Sequence, residues 1–258
     1  MRLPALFPVS VVSGTIPVAA SASGQLLYSA AGSASQLSWF DRAGNRVGTV
    51  GEENVYSYPF RLSPDGRRVA ATRVRPGGND LWLLDLERGS ASRFTSASAL
   101  NIYPVWSPDG RKILFSPAAL RLFRKDSGGS SEEEGVIGGP NTQYANDWSR
   151  DGRSIIYFEL APGAQRDLWI LPITPGGGVS GSAKPSPYPR TEFDERNARF
   201  SPEPSPRWVA YESDETGRYE VYISAFPEPR AKFPISTARR PVSGMGRRRA
   251  RDLLCCAG

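Results

Sequence analysis

The stretch Trp106-Ser107-Pro108-Asp109-Gly110-Arg111-Lys112-Ile113-Leu114-Phe115 returns along the chain, and its return constrains the fold more than any other feature. An aromatic residue closes a short strand, Ser-Pro-Asp-Gly turns the chain, and an alternating apolar strand leaves. Proline presets φ for the second position of a type I turn. Aspartate bonds its own backbone, and glycine takes the positive-φ position that follows. The turn glycines Gly24, Gly66, Gly110 and Gly152 are spaced by 42, 44 and 42 residues, and Pro206 holds the equivalent place 54 residues later. The excess fits a linker, Pro172 to Pro189, and two extra residues at the last turn.

Each copy carries further strands. The first has Gln25–Tyr28, Gln36–Phe40 and, after the turn Asp41–Gly44, Arg46–Val50. The second runs Tyr58–Leu62, Ser63-Pro64-Asp65-Gly66, Arg67–Ala71, a Gly-rich loop at Arg75–Gly78, and Asp80–Asp85. The third adds Arg121–Arg124, and the fourth Asn146–Trp148, Ser154–Phe158 and Asp167–Ile170. The fifth has Ala198–Phe200, Trp208–Tyr211 and Tyr219–Ile223. A period near 42 with four short strands per unit predicts an all-β fold, a β-propeller of stacked four-stranded blades. One blade buries too little by itself, so neighbours must stack face to face. The expected blades lie near 18–57, 58–100, 101–140, 141–196 and 197–237, after a lead-in at 1–17. Plentiful glycine (26) and proline (23) agree with short strands and turns rather than long helices.

Trp-Ser-Pro-Asp-Gly-Arg followed by an apolar strand, with Asp80-Leu-Trp-Leu-Leu-Asp-Leu86, resembles the WD-like repeats of TolB-like six-bladed propellers. Leu37–Val50, Phe200-Ser-Pro and Arg207–Tyr222 are similar to the propellers that follow bacterial serine/threonine protein kinase domains. The resemblance covers about Val18 to Thr237. It implies a non-catalytic sensor or interaction propeller linked to a bacterial protein kinase or TolB-like protein. A periplasmic or extracytoplasmic setting is implied with it. The resemblance implies a partner, a protein or small ligand, at a propeller rim. A second reading makes the chain the gating propeller of a prolyl-oligopeptidase-like hydrolase, and a third a truncated gene product without independent function. The fifth turn departs from the pattern: Ser201-Pro-Glu-Pro-Ser-Pro206 stands where Asp-Gly is expected, predicting a longer hairpin.

The chain after Thr237 matches no blade, and it begins where a sixth should. Residues 238–258 carry Arg239, Arg240, Arg247, Arg248, Arg249 and Arg251 against Asp252, which is +5 of the net +6. The rest is nearly neutral, so no basic face for nucleic acid is expected. Met245-Gly246, read one base later, forces a tryptophan. The codons onward permit Trp-x-x-Asp-Gly-Arg-Glu-Ile-Phe-Tyr, with the turn glycine at position 249, 43 residues after Pro206. We therefore expect this tail to be a frameshifted sixth blade. Met1 to Ala20 reads as an internal start within a longer parent or as a secretory signal. No run of 18 apolar residues suggests a membrane span.

Candidate chemistry is sparse. Without histidine, Ser-His and Cys-His pairs and most zinc sites are excluded. Cys255 and Cys256, adjacent at the end, imply no disulfide framework. Gly176-Gly-Gly178-Val-Ser-Gly181 satisfies G-x-G-x-x-G but sits in the Pro/Gly/Ser linker, and reads as an inter-blade loop. Asp65, Asp109 and Asp151 are expected to cap their own turns rather than form a cation-binding ring. Trp82, Trp106, Trp148 and Trp169 are expected to pack between sheets rather than form a ligand cage. Ser130–Glu134 reads as a solvated loop or a phosphorylation site. No catalytic, cofactor-binding or metal-binding residue is assigned.

Overall fold

The computed structural model describes residues 18–20, 25–28, 34–41, 43–95, 101–117, 121–174, 178–179, 184–189 and 191–236. Gly24, the lead-in at 1–17 and the Arg-rich tail lie outside these residues. Among the described residues all regular structure is β, in five antiparallel four-stranded sheets. The first holds β1 (Val18–Ala20), β2 (Leu26–Tyr28), β3 (Ser35–Phe40) and β4 (Arg46–Asn54). The second holds β5 (Tyr56–Leu62), β6 (Arg68–Arg75), β7 (Gly78–Asp85) and β8 (Ala91–Arg93). The third holds β9 (Ile102–Trp106), β10 (Lys112–Ser116), β11 (Arg121–Asp126) and β12 (Glu134–Gly138). The fourth holds β13 (Thr142–Trp148), β14 (Ser154–Leu160), β15 (Arg166–Pro172) and β16 (Ser186–Pro187). The fifth holds β17 (Glu195–Phe200), β18 (Trp208–Ser213), β19 (Glu220–Ala225) and β20 (Lys232–Pro234). Strands pair in sequence order within every sheet, and their first strands adjoin in the order β1, β5, β9, β13, β17. This is a propeller of successive blades with the first strand innermost.

Two sheets begin earlier than the period suggested. Tyr56 and Ser57 pair with Thr72 and Arg73, so they belong to the second sheet rather than the first. Glu195 and Arg196 pair with Glu212 and Ser213, so they open the fifth rather than close the fourth. The Gly-rich loop at Arg75–Gly78 is also tighter than expected. Pairing continues to Arg75 opposite Gly78, leaving only Pro76 and Gly77 in the turn.

The apolar strand leaving each turn does not alternate. Ile113, Leu114 and Phe115 are all fully buried, as are Val69, Ala70 and Ala71. Alternation marks a sheet with one wet face, whereas a continuous apolar run marks a strand covered on both. Burial fades outward: β8 is exposed along its length. Four apolar clusters fill the spaces between consecutive sheets. Leu27, Leu37 and Val50 meet Phe60, Val69 and Leu84. Ala70 and Leu81 meet Trp106, Ile113 and Phe115. Val105, Leu114 and Leu122 meet Trp148, Ile155 and Tyr157, and Ile156, Phe158 and Leu168 meet Phe200, Val209 and Tyr211. Each large side chain so buried contributes about 1.5–3 kcal/mol. The clusters therefore outweigh any polar contact between blades.

The repeated turn has one construction. Gly66, Gly110 and Gly152 each donate an N–H to the carbonyl of Ser63, Ser107 and Ser149, all at 2.9 Å, with φ near +71, +70 and +72. Asp109 Oδ1 accepts from Ser107 Oγ at 2.6 Å and from the Arg111 N–H at 3.0 Å, while Ser107 Oγ accepts the Lys112 N–H at 2.9 Å. Asp65 and Asp151 repeat the pattern with Ser63 and Ser149. The Ser63 hydroxyl, then the Arg67 N–H, hold the Asp65 carboxyl below its ordinary value. In the fifth blade, residues 201–207 join β17 to β18, and Ser201 Oγ takes the Arg207 and Trp208 N–H groups without an aspartate. The longer hairpin is present.

Replacing Asp109 with alanine removes two bonds from one turn without creating a cavity, a loss of about 1–2 kcal/mol. Denaturant unfolding of the full chain is expected to show that loss. An unchanged midpoint would mean that the backbone turn holds without its aspartate.

Candidate functional site

Every inner strand from the second sheet to the fifth shifts register just before its turn. The shifts lie between Ser57 and Arg61, opposite Leu114–Ser116, between Ala145 and Asp147, and between Arg196 and Arg199. Tyr103 and Asn197, each four residues before the turn serine, take positive φ, 58° and 55°. A bulge leaves inner-strand amides without ladder partners. Side chains of the preceding blade take several of them. Ser116 Oγ accepts the Ala145 N–H at 2.9 Å, Asn146 Oδ1 the Ala198 N–H at 3.0 Å, and Asp147 Oδ2 the Phe200 N–H at 2.9 Å. The Arg199 guanidinium reaches back to the carbonyl of Asn146.

Where the inner strands of the second, third and fourth sheets end, they border an open cavity of about 200 Å³. Its walls are Leu62, Val105, Trp106 and Trp148, with Pro64 and Pro108 at the turns, and its charged groups are Arg61, Asp147 and Arg150. Each blade contributes equivalent positions, two and one residues before the turn serine and one after it. The walls are fixed: Trp106 Nε1 donates to the Arg61 carbonyl at 3.1 Å, and Arg150 donates to the Pro202 carbonyl at 3.2 Å. Withdrawal from water pushes the Asp147 carboxyl up to about 6, against the Phe200 N–H, the Arg61 charge and the Trp148 N–H. The site can offer guanidinium donors and a carboxyl that changes charge near neutral pH, set among apolar rings.

At the opposite rim lies a second perturbed carboxyl. Glu195, fully buried, accepts from the Thr191 hydroxyl, and Oε2 has no hydrogen-bond partner. Burial pushes it up to about 7, opposed by the Thr191 bond.

Of the residues weighed from the sequence, Trp106 and Trp148 line this cavity and the turn aspartates do not. Asp65, Asp109 and Asp151 stay within their own hairpins. Trp106 and Trp148 are buried in the clusters between the second and third and the third and fourth sheets, Trp169 packs against the latter, and Trp82 packs against the cluster between the first and second. Of the Gly176–Gly181 loop only Gly178 and Val179 are described. Val179 bridges Ile173, and the Gly178 carbonyl accepts the Thr174 N–H at 2.8 Å. Glu134 opens β12 and pairs with Arg124 at 2.6 Å, while Ser131 Oγ accepts the Asp126 N–H at 2.9 Å. Arg61, Asp147 and Arg150 escaped notice because charged residues at those positions carry no local signal. Counting back two residues from each turn serine would have aligned Arg61, Val105, Asp147 and Arg199.

A carboxyl raised on folding binds its proton more tightly in the native state. Stability from Asp147 is therefore greatest below its ordinary value, 3.8, and falls as pH rises to about 6; Glu195 acts likewise between 4.5 and about 7. Asp147→Asn is expected to shrink the stability loss between pH 5 and 7.5, read by denaturant unfolding. An identical loss in both proteins would show that Asp147 titrates normally.

No protein-family profile matches the chain. Two curated relatives align over part of it. Uncharacterized protein Atu1656 of Agrobacterium fabrum is 32% identical over 84 residues, 31% of this chain and 29% of that protein. The Tol-Pal system protein TolB of Alcanivorax borkumensis is 32% identical over 90 residues, 34% of this chain and 20% of TolB. The matches thus span less than a third of either relative. Among solved structures, a TolB candidate from Agrobacterium tumefaciens superposes with a TM-score of 0.70 at 20% identity, over 85% of this chain and 79% of that one. TolB from Acinetobacter baumannii gives 0.67 at 18% identity, over 81% and 52%. A prolyl endopeptidase gives 0.54 at 14% identity, over 86% of this chain and 36% of its own. These likenesses establish the fold: the chain is a TolB-like β-propeller of five described blades.

Proposed function

We propose that the chain is a non-catalytic binding propeller whose axial cavity on the turn rim receives a group from a protein partner. The observation that carries this reading is the convergence of three inner strands on Arg61, Asp147 and Arg150 beside the rings of Trp106 and Trp148. Guanidinium and carboxyl groups anchored on rigid strands recognise polar groups by hydrogen bonding, and aromatic walls add apolar contact. The cavity admits a side chain or a chain terminus rather than a folded domain. The likeness of Leu37–Val50 and Arg207–Tyr222 to kinase-linked propellers supports the further reading that this is the sensor region of a bacterial serine/threonine protein kinase.

Two experiments test these readings. A photo-crosslinking amino acid at Pro108, beside the cavity, is expected to capture a discrete partner in the native host that the same group at Gly128 does not. Arg61→Ala is expected to weaken that capture several-fold. Equal capture at both positions, or capture indifferent to Arg61, would overturn the axial reading. The flanking DNA tests the kinase link. An upstream kinase frame followed by a membrane span is expected, whereas a downstream hydrolase domain with a serine nucleophile would identify a gating propeller instead. Insoluble or partly unfolded full chain would favour a truncated gene product.

A further inference from the structure

On the rim opposite the turns, three arginines of the second sheet gather on the face turned toward the first. Arg73 on β6 lies across from Tyr56 on β5 and Asp80 on β7, in one row. Arg75 follows two residues later on the same face, and Arg93 on β8 lies across from Trp82. Arg73 is only 8% exposed. Its guanidinium stands 4.3 Å from the Trp82 ring centre and 5.7 Å from that of Tyr56, and its Nε has no hydrogen-bond partner. The carboxylate in its own row is engaged elsewhere. Asp80, 1% exposed, pairs through Oδ2 with Arg75 Nε at 2.5 Å and with Arg93 at 2.9 Å, and its Oδ1 is unpartnered.

Two guanidiniums therefore share the Asp80 carboxylate, and the third, Arg73, stacks on aromatic faces with its Nε unpartnered. Cation–π contact contributes about 0.5–2 kcal/mol. Removing an ion from water costs several kcal/mol, and arginine cannot escape by losing its proton. The rings alone do not offset that cost, and among the described residues no carboxylate pairs with Arg73, so the site suits an added negative group. We propose that this seam binds a phosphate dianion, free or as a small phosphomonoester. Arg73 forms its floor, and Arg75 and Arg93, whose side chains are 46% and 39% exposed, form its open side. The formal excess of two positive charges matches a dianion, and guanidinium forks suit phosphate oxygens. On the first sheet, the Glu52 carbonyl accepts the Tyr56 hydroxyl at 3.3 Å, while the Glu52 and Glu53 side chains are exposed.

Isothermal titration of the full chain with inorganic phosphate, against chloride at equal ionic strength and pH 7.5, tests the site. One saturable binding event is expected, with a melting temperature that rises with phosphate. Arg73→Met, which keeps the stack between the rings without the charge, is expected to weaken binding at least tenfold. If that variant does not fold, Arg75→Gln, at a half-exposed position, is expected to weaken it similarly. Absence of saturable heat at millimolar phosphate in the wild-type chain would overturn the proposal. So would wild-type affinity in the folded Arg73 variant, or in Arg75→Gln. The readout is independent of crosslinking at the axial cavity, so either site can fail without the other.

Discussion

The structure depends on one constraint: its sheets must be covered on both faces. The second strand of each blade from the second to the fifth is apolar at consecutive positions, as at Val69-Ala70-Ala71 and Ile155-Ile156-Tyr157-Phe158, and those residues are buried. A strand of that kind has no solvent side. Such a sheet is stable only when packed against a neighbour, so a blade is a part of a fold rather than a fold. Close approach between sheets follows. Gly51 takes φ +64, and a Cβ there would stand 3.1 Å from Leu84 Cδ2. On the fifth sheet the apolar pair Trp208 and Phe233 stack edge to face, and Phe233 is 48% exposed.

Apolar packing holds the blades together, while polar contacts set their spacing and register at the axis. Bulged inner strands release N–H groups that would be costly if buried alone. Ser116, Asn146 and Asp147 meet them one blade ahead. Arg68 does similar service nearer the turns, donating to the Ser127 carbonyl at 3.0 Å and lying 4.8 Å over the Trp106 ring. The same residues that knit the blades thus shape the axial cavity. Asp147 is at once a strap between the fourth and fifth sheets and the carboxyl facing Arg61. Structure and candidate function share it.

Much of the fold was legible because the turn is local. Ser107, Asp109 and Gly110 bond one another within five residues, so spacing and residue type report the geometry directly. The longer fifth hairpin was legible for the same reason. Strand starts at Tyr56 and Glu195 were not, because pairing partners rather than local preference extend those strands. The expected alternation of Ile113-Leu114-Phe115 failed because a second neighbouring sheet covers the face that would otherwise be wet. The candidate sites were illegible for a related reason. Arg61 and Asp147 are 86 positions apart, and Arg73 differs in no local way from the arginines around it.

By itself, then, the sequence determined the repeating unit: a hairpin turn, four strands and a period near 42 residues, each written in contacts between close neighbours along the chain. Tertiary structure alone decided which charges became special. Asp147 is raised because the inner strands withdraw it from water, and Arg73 is stranded because Asp80 turns to Arg75 and Arg93. Turn chemistry is short-ranged and so can be read in order, whereas desolvation and charge balance depend on which surfaces the stacked blades bring together.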